Sequence, residues 1–110
     1  MLQYKVAKKL YEEMKKKTMQ NPTAYEDVYV EFLISATTYA NSCVVWSLLN
    51  DDERRENDER RRTEYSDYAA GLVDIGESMK IKDMEVILPD RKAKGDFACY
   101  IMLFLALEYS

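Results

Sequence analysis

A chain of 110 residues that is 47% hydrophobic and 33% charged, with only 3 Gly and 2 Pro, has material for one hydrophobic core and little for the turns of an all-β fold. Its formal charge of −4 argues against the basic excess of a nucleic-acid footprint, and the lack of histidine removes the commonest general base and transition-metal ligand. The expectation is an all-α, single-domain bundle of about four helices over residues 1–110, with a buried C-terminal helix.

The N-terminal segment interleaves Lys5, Lys8 and Lys9 with single apolar residues, unlike the continuous apolar core of a secretory signal, so a cytoplasmic protein is expected. From about Leu2 to Gln20, Leu2, Val6, Leu10 and Met14 recur at helical spacing among lysines and glutamates. This predicts an amphipathic first helix that ends at Asn21-Pro22, because the residue before proline is pushed out of the helical region. Thr23 and Glu26 have the spacing of a capping box, which would start the second helix.

No breaker interrupts that helix as far as Leu49. Tyr25, Tyr29, Phe32, Ala36, Tyr39, Cys43 and Trp46 form one stripe, and Val28, Leu33, Ile34, Ala40, Val44, Val45, Leu48 and Leu49 widen it into a mostly apolar cylinder expected to be largely buried. The uncharged run from Phe32 to Leu49 has the length of a membrane span. Ser35, Thr37, Thr38, Asn41, Ser42 and Ser47 dilute its hydrophobicity and acids flank it, so no membrane association is expected. Cys43, and Cys99 further on, sit inside apolar runs and read as small buried hydrophobes of a reducing compartment, a disulfide being the alternative. Neither has an imidazole to activate it, so a nucleophilic thiol is not expected.

Residues 51–64 contain no apolar side chain and echo DERREN as DERRRT. Asp51 with Arg55, Glu56 with Arg60 and Asp58 with Arg62 fall one helical turn apart, which suits a solvated helix capped by Asn50 or Asp51, although the segment could equally fray. This third helix is expected to run to about Met79, with Tyr65, Tyr68, Ala69, Leu72, Ile75, Gly76 and Met79 on its core side. Glu53, Glu56, Glu64, Asp67, Asp74 and Glu77 give acid-x-x-acid spacings that superficially resemble the magnesium sites of all-α nucleotide pyrophosphohydrolases. All lie on one predicted helix among arginines, which favours a solvated face over a metal site. The basic clusters at residues 15–17, 60–62 and 91–94 favour the same reading.

Residues 80–94 read mostly as loop, with the last helix starting at Pro89-Asp90 in preference to Gly95-Asp96. Gly95 would then lie inside it and allow close backbone packing. No charge occurs from Phe97 to Leu107, so this helix is expected to be enclosed by the others. If the helices alternate up and down, the apolar end of helix two, Val44 to Leu49, lies beside the charged start of helix three. Either Leu2, Tyr4 and Val6 with Leu105, Leu107 and Tyr109 cover it, or it stays exposed as a contact surface.

The string Asp90-Arg91-Lys92-Ala93-Lys94-Gly95-Asp96-Phe97-Ala98, preceded by Arg61, Arg62 and Tyr68, resembles small uncharacterised helical proteins of phages and mobile elements in Gram-positive bacteria. The resemblance covers roughly the second half of the chain, and its distinctive part is R-x-x-x-G-D-F-A. It implies an accessory factor with no assigned activity, and such small acidic proteins are often host-takeover or counter-defence factors that bind another protein, an anti-CRISPR-type inhibitor of a host effector being one case.

The expected function is therefore non-enzymatic protein binding. The candidate partner-binding residues are Trp46, Leu48, Leu49, Arg54, Arg55, Glu56, Glu59, Arg60 and Arg61, on the apolar helix end and the charged helix beside it. No catalytic, metal-ligating or cofactor-binding residue is assigned. The partner is expected to be another protein, with a homodimer as an alternative and nucleic acid disfavoured. A structural subunit of the head-tail connector type and a weak nucleic-acid-binding regulator are the competing functions.

Overall fold

In the computed structural model, which describes residues 1–110, the chain is all-α and contains no β-strand. Helix α1 (Tyr4–Gln20) buries Leu10, Tyr11 and Met14 as expected, but Ala7 is buried in place of Val6, which is exposed. Helix α2 (Pro22–Ser47) begins differently from expectation. Asn21 is the cap, its Oδ1 accepting from the Ala24 N–H at 3.4 Å, and Pro22 occupies the first turn, where its missing N–H costs nothing. The Thr23–Glu26 capping box does not form, because the helix is already under way at Thr23.

The predicted third helix is several pieces, and here the four-helix expectation fails. Asn50 and Glu53 form a full capping box, Asn50 Oδ1 accepting from the Glu53 N–H at 2.9 Å and Glu53 Oε1 from the Asn50 N–H at 2.8 Å. Helix α3 (Asp51–Glu56) stops at Asn57, whose side-chain amide donates to the Glu53 carbonyl at 2.8 Å, and α4 (Asp58–Glu64) restarts the coil. A π-helical turn, Tyr65–Ala69, comes next, with the Ala70 N–H reaching back to the Tyr65 carbonyl at 2.9 Å. The extra residue in that turn rotates the next helix, so that Leu72, Val73 and Gly76 of α5 (Leu72–Ser78) reach the core.

Residues 80–90 are more ordered than a loop. Lys80 adopts a left-handed φ of 60° as α5 ends, with the Ile81 N–H on the Gly76 carbonyl at 3.1 Å and the Lys80 N–H on that of Glu77 at 2.9 Å, the Schellman pattern. One further turn, α6 (Met84–Ile87), buries Met84, and Met79, Ile81 and Leu88 are buried around it. Helix α7 (Arg91–Glu108) takes the earlier predicted start, Asp90 Oδ1 accepting from the Ala93 N–H at 2.8 Å.

The contacts fix the directions. The Leu2 N–H donates to Asp96 at 3.2 Å and Lys15 pairs with Glu108, so α1 and α7 run parallel. Lys17 Nζ reaches the Lys80 carbonyl at 2.7 Å, which places the end of α5 beside the end of α1. Residues 81–90 must therefore carry the chain back before α7 starts. Helix α2 is antiparallel to all of them and forms the core with Phe32 against Phe97 at 5.7 Å, while Phe104 stacks on Tyr11 at 5.3 Å.

Two burial expectations are overturned. Helix α7 is not enclosed: Ala93, Phe97, Ala98, Ile101 and Phe104 are buried, but Leu107 is 63% exposed. Helix α2 buries Phe32, Ala36, Tyr39, Ala40 and Ser42 and leaves Val30, Ile34, Val44, Val45 and Leu48 in solvent. A chain of this size has too few helices to surround any one of them. Gly95 also departs from expectation, because an added Cβ would meet only side-chain atoms, Tyr39 Cε2 at 3.8 Å and Cys43 Sγ at 3.9 Å. No helix is long and apolar enough to cross a membrane.

Candidate functional site

The exposed apolar residues of α2 lie on one stripe. Val30, Ile34, Val44, Val45 and Leu48 follow the helical repeat along its outer face, with Thr37, Thr38 and Asn41 between them, over about 27 Å at the α-helical rise. Its C-terminal end is the region that sequence reasoning left either covered or exposed. The return made by residues 81–90 sets the end of α7 beside the start of α2, so Leu105, Leu107 and Tyr109 cannot cover it. Tyr4 packs on α7, against Tyr100 and Phe104. Leu48 stands 79% exposed as a result.

Trp46 is half-buried between two guanidinium groups, those of Arg54 at 5.7 Å and Arg61 at 5.4 Å from its ring, and Arg54 Nε donates to the Trp46 carbonyl at 3.3 Å. Trp46, Leu49 and Arg60 line one groove of about 210 Å³ with Asn41, Val45 and Glu64. Arg60 pairs with Glu64 at 3.4 Å across one helical turn, and Arg55 pairs with Asp52. Glu56 and Glu59 are exposed and make no ion pair within the chain. The structure thus gathers Trp46, Leu49, Arg54, Arg60 and Arg61 at the α2–α4 junction, and places Leu48, Arg55, Glu56 and Glu59 on the surrounding surface.

Arg61 also faces a second site that sequence reasoning missed. Its Nη1 donates to Ser42 Oγ at 3.0 Å, its Nη2 contacts Cys43 Sγ at 3.5 Å, and its guanidinium lies 5.1 Å above the Tyr39 ring. Arg61, Cys43 and Tyr39, with Arg91, Lys92, Gly95, Asp96 and Cys99, line an open pocket of about 460 Å³ along the α2–α7 seam. Cys43 is half-buried and Cys99 exposed, so the expectation of two buried, inert thiols is corrected. The hydrogen bond from the Cys99 thiol, then that from Arg61 and its positive charge, outweigh burial and lower the Cys43 pKa to about 6. The same hydrogen bond and burial push the Cys99 thiol well up. Of the two thiols, Cys43 is thus the one whose ionisation is favoured, without an imidazole.

The signal for this site was faint. Gly95 and Cys99 share a face of α7 one turn apart, but nothing in the spacing ties them to Cys43 or Arg61 on other helices. The acids at acid-x-x-acid spacing stay dispersed, and no group of three or more Cys, Asp or Glu is placed to hold a metal ion. No protein-family model, curated protein or solved structure matches the chain.

Proposed function

We propose that the protein is a non-enzymatic protein-binding factor whose contact surface is the outer stripe of α2 together with the Trp46 groove. The observation that carries this reading is the exposure of Val44, Val45 and Leu48 in a row beside a tryptophan already fixed by two arginines. Large apolar side chains aligned on one helix face mark interaction surfaces, and a preordered aromatic loses little entropy on contact. The occupant we assign is a helix of another protein, because a straight stripe on a single helix suits an amphipathic helix laid along it. Glu56 and Glu59, without partners of their own, favour basic residues on the rim of that helix.

Three of the five arginines of α3 and α4 argue against phosphate as the target of this surface, since Arg55, Arg60 and Arg62 are paired with Asp52, Glu64 and Asp58, while Arg54 and Arg61 lie against the Trp46 ring. The resemblance of the R-x-x-x-G-D-F-A string to phage and mobile-element proteins points to a host effector as the partner, with a counter-defence role. A purified host effector provides the test, in a direct binding titration. Val45→Asp with Leu48→Asp is expected to weaken its binding at least tenfold, while Leu107→Asp, at the opposite end, leaves it unchanged. Equal loss in both variants would refute the surface, and a stable dimer or ring in light scattering that Leu48→Asp dissolves would assign the stripe to a second copy instead.

A further inference from the structure

We infer that Cys43 and Cys99 form a thiol–disulfide exchange site that accepts a low-molecular-weight disulfide carrying carboxylates, with Cys43 as the attacking thiol and Cys99 as the resolving one. The geometry assigns the roles. Cys43 sits at the back of the pocket, where Arg61 donates to its sulfur at 3.5 Å, and Arg61 is itself held by Ser42 and the Tyr39 ring. Gly95 leaves the sulfur uncovered on that side, because a Cβ there would touch Cys43 Sγ at 3.9 Å. Cys99 lies one turn further along the same face of α7, exposed, and lines the same pocket as Cys43.

The charges around the pocket select the substrate. Arg61 and Arg91 line it without a carboxylate partner, Arg61 lying over Tyr39 and Arg91 at 4.2 Å from the Tyr65 ring. The acid of the pocket, Asp96, is occupied by Lys92 at 3.0 Å and the Leu2 N–H at 3.2 Å. An anionic disulfide is therefore drawn in and a cationic one repelled. The Arg61 guanidinium at the Cys43 sulfur favours its thiolate as the attacking form.

In the first step the Cys43 thiolate attacks one sulfur of the small disulfide, forming a mixed disulfide and releasing the other half as a thiolate. In the second, Cys99 gives up its proton and attacks the Cys43 sulfur, forming the Cys43–Cys99 bond and releasing the remaining half. Two protein thiols are oxidised, one small disulfide is reduced to two thiols, and the protons pass to the released thiolates. The product ties α2 to α7.

Glutathione disulfide and the cationic disulfide cystamine serve as probes on the reduced protein, with acid quenching and intact-mass spectrometry. The expected end product from glutathione disulfide is the chain lighter by two hydrogens and free of adduct, and Cys99→Ser is expected to stop with one glutathionyl group on Cys43. At low salt the anionic probe should react about tenfold faster than the cationic one, the difference closing at high salt. That comparison uses the unsubstituted chain, so it stands even where a variant fails to fold. An adduct accumulating on Cys99, or equal rates for the two probes at low salt, would overturn the assignment.

Discussion

Gly76 and Met84 show how much a single methyl group controls. A Cβ at Gly76 would stand 2.6 Å from Met84 Sδ and 2.9 Å from its Cγ, so the buried Met84 side chain must shift. Gly76→Ala is expected to lower stability by about 1–3 kcal/mol in urea denaturation, despite alanine's better helix propensity. Lys80 presents the opposite case. It holds a φ of 60° at the position where helices usually place glycine, so Lys80→Gly is expected to raise stability by up to about 1 kcal/mol in the same measurement. The core position of Gly76 follows from the helical period of the sequence, but the left-handed turn at Lys80 does not. Lysine announces no such turn, and the conformation follows from the need to double the chain back beneath Met84.

Among the helices, two of the three expected caps could be read, the Thr23–Glu26 box giving way to Asn21. Asn50 with Glu53 and Asp90 before α7 act where their side chains predict, since a capping oxygen needs only neighbours close in sequence. The break at Asn57 was hidden because Glu56 and Arg60, one turn apart, span it, and the π-turn at Tyr65–Ala69 because Tyr65, Tyr68, Ala69 and Leu72 keep apolar helical spacing through it. Burial of α2 and α7 was overread for a related reason: apolar character says which faces can be buried, not how many neighbours exist to bury them. The ends of α1 and α7 offer a test of their own. Tyr11 donates to Glu108 at 3.0 Å and Lys15 pairs with the same carboxylate. The hydrogen bond from Lys15 is the main reason that the Glu108 carboxyl is held below its usual range. Folding thus favours the charged form, and the clamp contributes fully above the unfolded carboxylate pKa and is lost as pH falls through the lower folded value. The Tm difference between the wild-type chain and Glu108→Gln is expected near pH 7 and should close as pH falls below the usual carboxylate range.

For the molecule as a whole, the decisive feature is the return of the chain through residues 81–90. It makes α7 parallel to α1, sends Leu107 and Tyr109 to the start of α2, and leaves Leu48 and Val45 bare beside Trp46. The sequence contained both halves of this outcome, an apolar helix end and a charged helix next to it, but the direction of α7 depended on a short buried turn that periodicity could not resolve. The same path brings Gly95 and Cys99 to Cys43, which is why the thiol pocket became visible only in three dimensions. Whether the outer stripe of α2 receives a partner protein is tested most directly by oxidative footprinting of the chain, free and bound to that partner. Labelling of Ile34, Val45, Trp46 and Leu48 is expected to fall on binding while that of Val86 and Leu107 stays unchanged; protection of Val86 or Leu107 with Val45 and Leu48 still labelled would contradict the assignment.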